Sequence, residues 1–162
     1  MRTILLLAVI LAAPLGAQPQ RDVFKVDFTV RDSGDAGGKT GRKYSMLVNA
    51  GTKGVFKIGN RVPVTTGNPG TGQNTQFTYV DVGVNIECTV QDAGSGKAAM
   101  RGDLDLSTAI TQDKPAPAPT ISQIRMSFDT ALPQGKATPV ASFDDPVTSR
   151  KFDLEAMVTK VN

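Results

Sequence analysis

Apolar and polar residues alternate one for one along much of this chain. The longest unbroken case is TYVDVGVNIECTV, where Val80, Val82, Val84, Ile86, Cys88 and Val90 are interleaved with Asp81, Gly83, Asn85, Glu87 and Thr89. A period of two puts one set on a dry face and the other in water, so this run predicts a long strand. Burial of each large aliphatic is worth about 1.5–3 kcal/mol. A slip of one residue would expose the whole apolar set, which fixes the register.

The same rhythm recurs on both sides. DVFKVDFTVRD predicts a first strand with Phe24, Val26, Phe28 and Val30 inward. Residues 44–50 predict a second strand with Tyr44, Met46 and Val48 on one side, and GVFKIGNRVPV (54–64) a third. Gly51 to Gly54 read as a tight hairpin between these two. Pro63 has no N–H to donate, so its end of the third strand belongs at an edge or a bulge. After the Asp92–Gly96 turn, residues 97–109 return with Met100, Leu104 and Leu106 inward. ISQIRMSFDTAL follows with Ile124, Met126 and Phe128. ATPVASFDD is short, and RKFDLEAMVTKV (150–161) ends the chain with Phe152, Leu154, Ala156 and Val158 inward. Between strands, residues 33–43 and 65–75 are Gly-rich and polar, and 112–119 reads as a stiff polyproline connection. No eleven-residue window carries helical i, i+3, i+4, i+7 spacing. The fold class is all-β, an antiparallel β-sandwich or partly closed barrel of about eight or nine strands.

The N-terminus is different. MRTILLLAVILAAPLGA has Arg2, an apolar run from Ile4 to Ala13 and small residues before Gln18. That layout predicts a signal peptide over residues 1–17, leaving one β-domain over 18–162. The apolar run is shorter than the roughly 20 residues of a spanning helix. The expected location is therefore exported: the periplasm or cell envelope, or outside the cell. Cys88 is the single cysteine, so no intrachain disulfide is available and the core must suffice. The formal charge of +3 comes from scattered Lys and Arg, with Arg42-Lys43 and Arg150-Lys151 the densest clusters. That is not a nucleic-acid stripe, and no nucleic-acid partner is expected.

Candidate chemistry is sparse. The chain has no histidine, so neither a Ser-His-Asp nor a Cys-His nucleophile can be assembled, and the usual zinc ligands are missing. Cys88 shares a face with Val84, Ile86 and Val90, which makes it a core thiol. Asp103, Asp105 and Asp144-Asp145 read as solvated face and turn charges rather than an acid/base pair. Asp32-Ser33-Gly34-Asp35 is a fragment of a calcium loop without its remaining ligands. Arg101-Gly102-Asp103 lies inside a strand, where no receptor would reach it. No catalytic residue, cofactor or metal is expected, and the reading is non-enzymatic.

Residues 54–90, with GVFKIGNRVPV, a polar loop and YVDVGVNIECTV, resemble the C-terminal domain of bacterial secretins of type II and III secretion and type IV pilus systems. The matching positions are Gly59, Val62, Pro63, Val64, Val80, Val82, Gly83, Val84, Ile86 and Thr89. ISQIRMSFDTALPQGKATPVAS resembles that family's later strand, its glycine turn (here Gly135) and the strand beyond. The likeness covers roughly residues 44–160. The chain departs from the family at Gln91, where proline is usual, and has no Pro-x-Leu-Gly-x-Ile-Pro segment. It reads as a short, divergent member without the N-terminal ring domains. With two Tyr and no Trp, the aromatic girdles of a membrane barrel are lacking, so insertion is not expected. The resemblance implies a structural or assembly role at the envelope beside a secretion or pilus system. Its partner would be an envelope or secretion-system protein, or a second copy of the chain, met by strand addition or surface contact. Expected contact residues are Gly59, Arg61, Pro63, Gly67, Asn68 and Gly83. The alternative is a stand-alone secreted sandwich binding a small molecule or a glycan.

Overall fold

Strands form where the alternation is strongest: β1 (Val23–Asp32), β2 (Arg42–Asn49), β3 (Lys53–Thr65), β4 (Phe77–Gly94), β5 (Lys97–Ile110), β6 (Thr120–Pro133), β7 (Thr138–Asp144) and β8 (Lys151–Val161). The computed structural model describes residues 22–34, 41–65, 77–110, 119–145 and 150–161. The expected signal peptide, Gly67, Asn68 and nearly all of 112–119 lie outside the described residues. The strands make two antiparallel four-stranded sheets, in the orders β2-β1-β8-β7 and β3-β4-β5-β6. The architecture is a sandwich; neither sheet closes into a barrel.

The first sheet joins the two ends of the chain, with β1 pairing β8 from Val23↔Val161 to Asp32↔Phe152. Phe24, Val26, Phe28 and Val30 on β1 and Leu154, Ala156 and Val158 on β8 are buried. They meet Ile86, Cys88 and Val90 of β4 and Ala98, Met100 and Leu104 of β5, also buried, across a gap of about 10 Å. Phe28 and Phe128 span the two layers with ring centroids 6.2 Å apart and planes tilted 55°.

Two expectations are corrected. The turn after β2 is not a hairpin, because β2 and β3 belong to different sheets and do not pair. It is a corner held from both layers. Ala50 N–H donates to the Asp22 carbonyl (2.7 Å) beside β1, and Gly51 N–H donates to the Val90 carbonyl (2.8 Å) on β4. The β6–β7 turn repeats this, with Gln134 N–H donating to Gly96 and Gly135 N–H to Val158, both at 2.8 Å. Second, the alternating face of β4 is buried only from Val84 to Val90. Val80 and Val82 are half-exposed, because β4 runs on past the end of the opposite sheet.

Candidate functional site

Strand β4 keeps β5 as a neighbour only as far as Gly83↔Ser107. Its pairing with β3 continues through Asn60↔Val82, Arg61↔Asp81, Val62↔Val80 and Pro63↔Tyr79 to Thr65↔Phe77. The result is a two-stranded arm, six residues per strand and about 20 Å long, beyond the body of the sandwich. At its root Gly83 N–H donates to the Ser107 hydroxyl (3.0 Å).

The root is also where Gly59 and Gly83 face each other across the ladder. A Cβ on Gly59 would lie 2.2 Å from the Val82 carbonyl oxygen. One on Gly83, whose φ is +146°, would lie 2.2 Å from the Ile58 carbonyl oxygen and 2.5 Å from the Cα of Gly59. All the obstructing atoms are backbone, so no side-chain adjustment could relieve them. Only glycine at both positions allows this approach.

The arm carries apolar side chains on both faces. Val62, Val64, Val80 and Val82 are half-buried on the side continuous with the core. On the other side Phe77 and Tyr79 are 56% and 62% exposed. Isolated exposed apolar residues are ordinary; here two aromatics stand close together on one projecting ribbon.

Next to the arm's root, the outer face of the second sheet dips into a cleft of about 460 Å³. Its floor is Gly59, Gly83 and Ser107. On one bank Arg61 Nε and Lys57 Nζ both donate to Asp81, at 3.1 and 3.3 Å. Those two hydrogen bonds hold the Asp81 carboxyl below the usual carboxylate range. On the other bank Asp105 accepts from Gln123 Nε2 (2.9 Å) and from Arg125 (2.8 Å). Burial pushes the Asp105 carboxyl upward, but those donors outweigh it and leave it low. At the same end, between the sheets, a smaller cavity of about 100 Å³ is lined by Val30, Tyr44, Val84, Leu106 and Phe152. Arg150 and Asp32 form an ion pair at its rim, with Arg150 Nε donating to Asp32 Oδ1 at 3.0 Å.

The fold is shared with solved structures. The Salmonella SPI-1 injectisome NC-base InvG secretin domain β-barrel matches with a TM-score of 0.55 and 12% identity, covering 87% of this chain and 62% of that one. The type II secretin GspD of enteropathogenic Escherichia coli matches at 0.56 and 10%, covering 87% and 66%. The Klebsiella pneumoniae type II secretion system outer membrane complex of PulD, PulS and the PulC HR domain matches at 0.56 and 8%, covering 88% and 38%. This chain folds like a secretin domain. It spans less than two-thirds of each of these solved chains, so the likeness concerns the domain and not the whole protein. No protein-family model matches the sequence, and no curated protein matches it by sequence.

On this secretin-like fold, four of the six expected contact residues gather at one place. Gly59 and Gly83 form the root of the arm, Arg61 is tied to Asp81 one step out, and Pro63 stands opposite Tyr79 on the edge strand β3. Gly67 and Asn68 lie outside the described residues. Phe77, Tyr79, Ser107 and Gln123 were not singled out by the sequence. The two aromatics could have been, since they are the last residues before the alternating run and belong to its polar-side parity. Cys88 is buried, and burial pushes its thiol up to about 11. Asp103 and Asp105 are engaged by Ser127, Gln123 and Arg125, and Gly102 of the Arg-Gly-Asp triplet is buried within β5.

Proposed function

We propose that this chain is a non-enzymatic assembly domain of the cell envelope that engages a protein partner through the β3–β4 arm. Residues 1–17 direct export and are removed, and residues 18–162 form the working domain. The arm is the observation that carries this reading: Val62, Val64, Val80, Val82, Phe77 and Tyr79 are held out from the core on a braced two-stranded ribbon. Covering these side chains would contribute about 1.5–3 kcal/mol for each large one. That is ample for a specific contact. Among the described residues β3 is an edge strand of its sheet, and its outer main-chain groups along the arm suit strand addition.

The secretin-like fold supports the structural role, and the Klebsiella structure, in which PulD is seen with PulS and the PulC HR domain, supports a protein partner. The partner is a second copy of this chain or an envelope component of a secretion or pilus system. The test has two arms. Fractionation with N-terminal sequencing should find the chain in the envelope or periplasm beginning at Gln18; a cytoplasmic chain beginning at Met1 would refute export. A Phe77→Asp/Tyr79→Asp variant should keep its melting temperature within a few degrees but lose the wild type's assembly on a sizing column or in chemical cross-linking. Unchanged assembly would refute the arm as the contact.

A further inference from the structure

The open edge of the second sheet is a row of cations without an acid. β3 ends its sheet in the order β3-β4-β5-β6, and it carries Lys53, Lys57 and Arg61 but neither Asp nor Glu. We propose that the stretch Lys53–Arg61 takes an extended acidic segment of another protein as a fifth, antiparallel strand. This rests on the reading of β3 as a partner-binding edge, and it names the occupant.

The main chain is set for such an addition. The β3–β4 register runs unbroken from Lys53 to Thr65. The Val82 carbonyl oxygen is turned towards Gly59 and the Ile58 carbonyl oxygen towards Gly83, while Gly83 N–H is turned to β5. Successive residues of a strand direct their N–H and C=O to opposite sides. Those of Lys53, Val55, Lys57, Gly59 and Arg61 therefore point to the open side. Pro63 falls in the same set and has no N–H, which ends the free ladder at Arg61. The stretch is about 27 Å long.

The side chains of that set lie on the outer face. There Lys53 pairs with Glu87, and Lys57 and Arg61 share Asp81. Three cations thus face two carboxylates across this ladder, both carboxylates on β4, and each cation stays more than half exposed. An incoming strand meets the β3 residues first, because directly opposite Cβ atoms stand about 4.5–5.5 Å apart. An acid at every fourth residue would lie beside Lys53, Lys57 and Arg61. Between them the edge is apolar. Val55 is 59% exposed on the outer face, and Ile58 is 56% exposed on the core side although its partner Val84 is buried. The fitting occupant is acidic at every fourth position and β-branched between.

A second copy of this chain does not have that pattern at any sheet edge. Pairing β3 against β3 sets cation beside cation. Of the other edge strands, β2 has no carboxylate, and β6 and β7 have one each, Asp129 and Asp144.

The experiment is fluorescence anisotropy with the full chain and capped, labelled nonapeptides. EVTVEVTVE presents the pattern, KVTVKVTVK reverses its charge, and a copy of the first that is N-methylated at both threonines cannot donate to the edge carbonyls. EVTVEVTVE should bind about tenfold or more tighter than the lysine peptide, a margin that shrinks in 1 M salt. The N-methylated copy should not bind. Lys57→Gln should weaken binding about threefold, as for one exposed ion pair, and Lys53→Glu/Lys57→Glu should shift the preference to the lysine peptide. Val55→Pro removes an edge donor but no β3–β4 hydrogen bond and should abolish binding. Lys136→Gln, in the β6–β7 turn, should leave it unchanged. No binding of EVTVEVTVE, equal binding of the two charged peptides, or undiminished binding of the N-methylated copy would overturn the proposal, and these comparisons need no variant to fold. Self-association of the chain alone that Val55→Pro abolishes would overturn it too. Loss of assembly in the Phe77→Asp/Tyr79→Asp variant without any peptide binding would overturn this inference and leave the arm's role standing.

Discussion

Gly83→Ala isolates the feature that sets the arm's course. The new methyl would meet the Ile58 carbonyl oxygen at 2.2 Å and the Cα of Gly59 at 2.5 Å, on a residue whose φ is +146°. Both obstructions are backbone in a paired strand, so relief requires β3 and β4 to separate locally. Overpacking of this kind costs about 1–3 kcal/mol, and an alanine held at such a φ adds about 1–3 kcal/mol. The expected loss is therefore about 3 kcal/mol, which for a chain of this size lowers the melting temperature by roughly 6–12 °C. Gly96→Ala is the control, with φ +71° but nothing within 4 Å of the new methyl. It should cost only about 1–2 kcal/mol, the penalty of the left-handed conformation alone. Urea unfolding followed by far-ultraviolet circular dichroism measures both. A Gly83→Ala variant as stable as wild type, or no worse than Gly96→Ala, would refute the close-approach argument.

Three further outcomes follow from the same structure. Ile86→Ala, at a fully buried position of β4, should cost about 2–5 kcal/mol in urea unfolding, and a loss under 1 kcal/mol would contradict its place in the core. Cys88, buried and with its thiol pushed up to about 11, should react with an aromatic disulfide reagent at neutral pH only after denaturant is added; rapid labelling of the native chain would contradict its burial. Asp81, Asp105 and Glu155 have carboxyls held below their usual range by Arg61 and Lys57, by Arg125 and Gln123, and by Arg31, respectively. A lowered folded-state pKa contributes stability that is present above about pH 4 and lost as the pH falls through the folded value. The melting temperature should thus hold from neutral pH down to about 5 and drop below 4, the drop shrinking in 1 M salt because these pairs face water. A melting temperature that rises on acidification would contradict this assignment.

Strand positions were legible because side-chain polarity follows the pleat directly. β1 and β8 bury the residues that their alternation puts inward, and β4 does so from Val84 to Val90. Sheet membership was not legible. The Gly51–Gly54 turn has the composition of a hairpin, but local turn chemistry does not say which sheet the next strand joins; that depends on Asp22 and Val90, far away in sequence, accepting its two N–H groups. Val80 and Val82 show a related limit. Alternation reports which face a residue takes, whereas burial depends on how far the opposite sheet reaches, and here it stops near Val84. The site was legible on β3 and β4, where Gly59, Arg61, Pro63 and Gly83 punctuate the pattern. Ser107 and Gln123 come from β5 and β6, and nothing in their own strands marks them; only the register brings them beside Gly83.

The most direct test of the assembly role is photo-cross-linking in living cells, with a photoreactive amino acid replacing Tyr79 in the full chain and mass spectrometry locating the joined peptide. The account predicts one defined adduct, to a fixed segment of a second copy or of one envelope protein, which disappears when Val80→Asp is added and is absent when the probe stands at Lys97 instead. No adduct at Tyr79, or the same scatter of adducts from Tyr79 and Lys97, would contradict it.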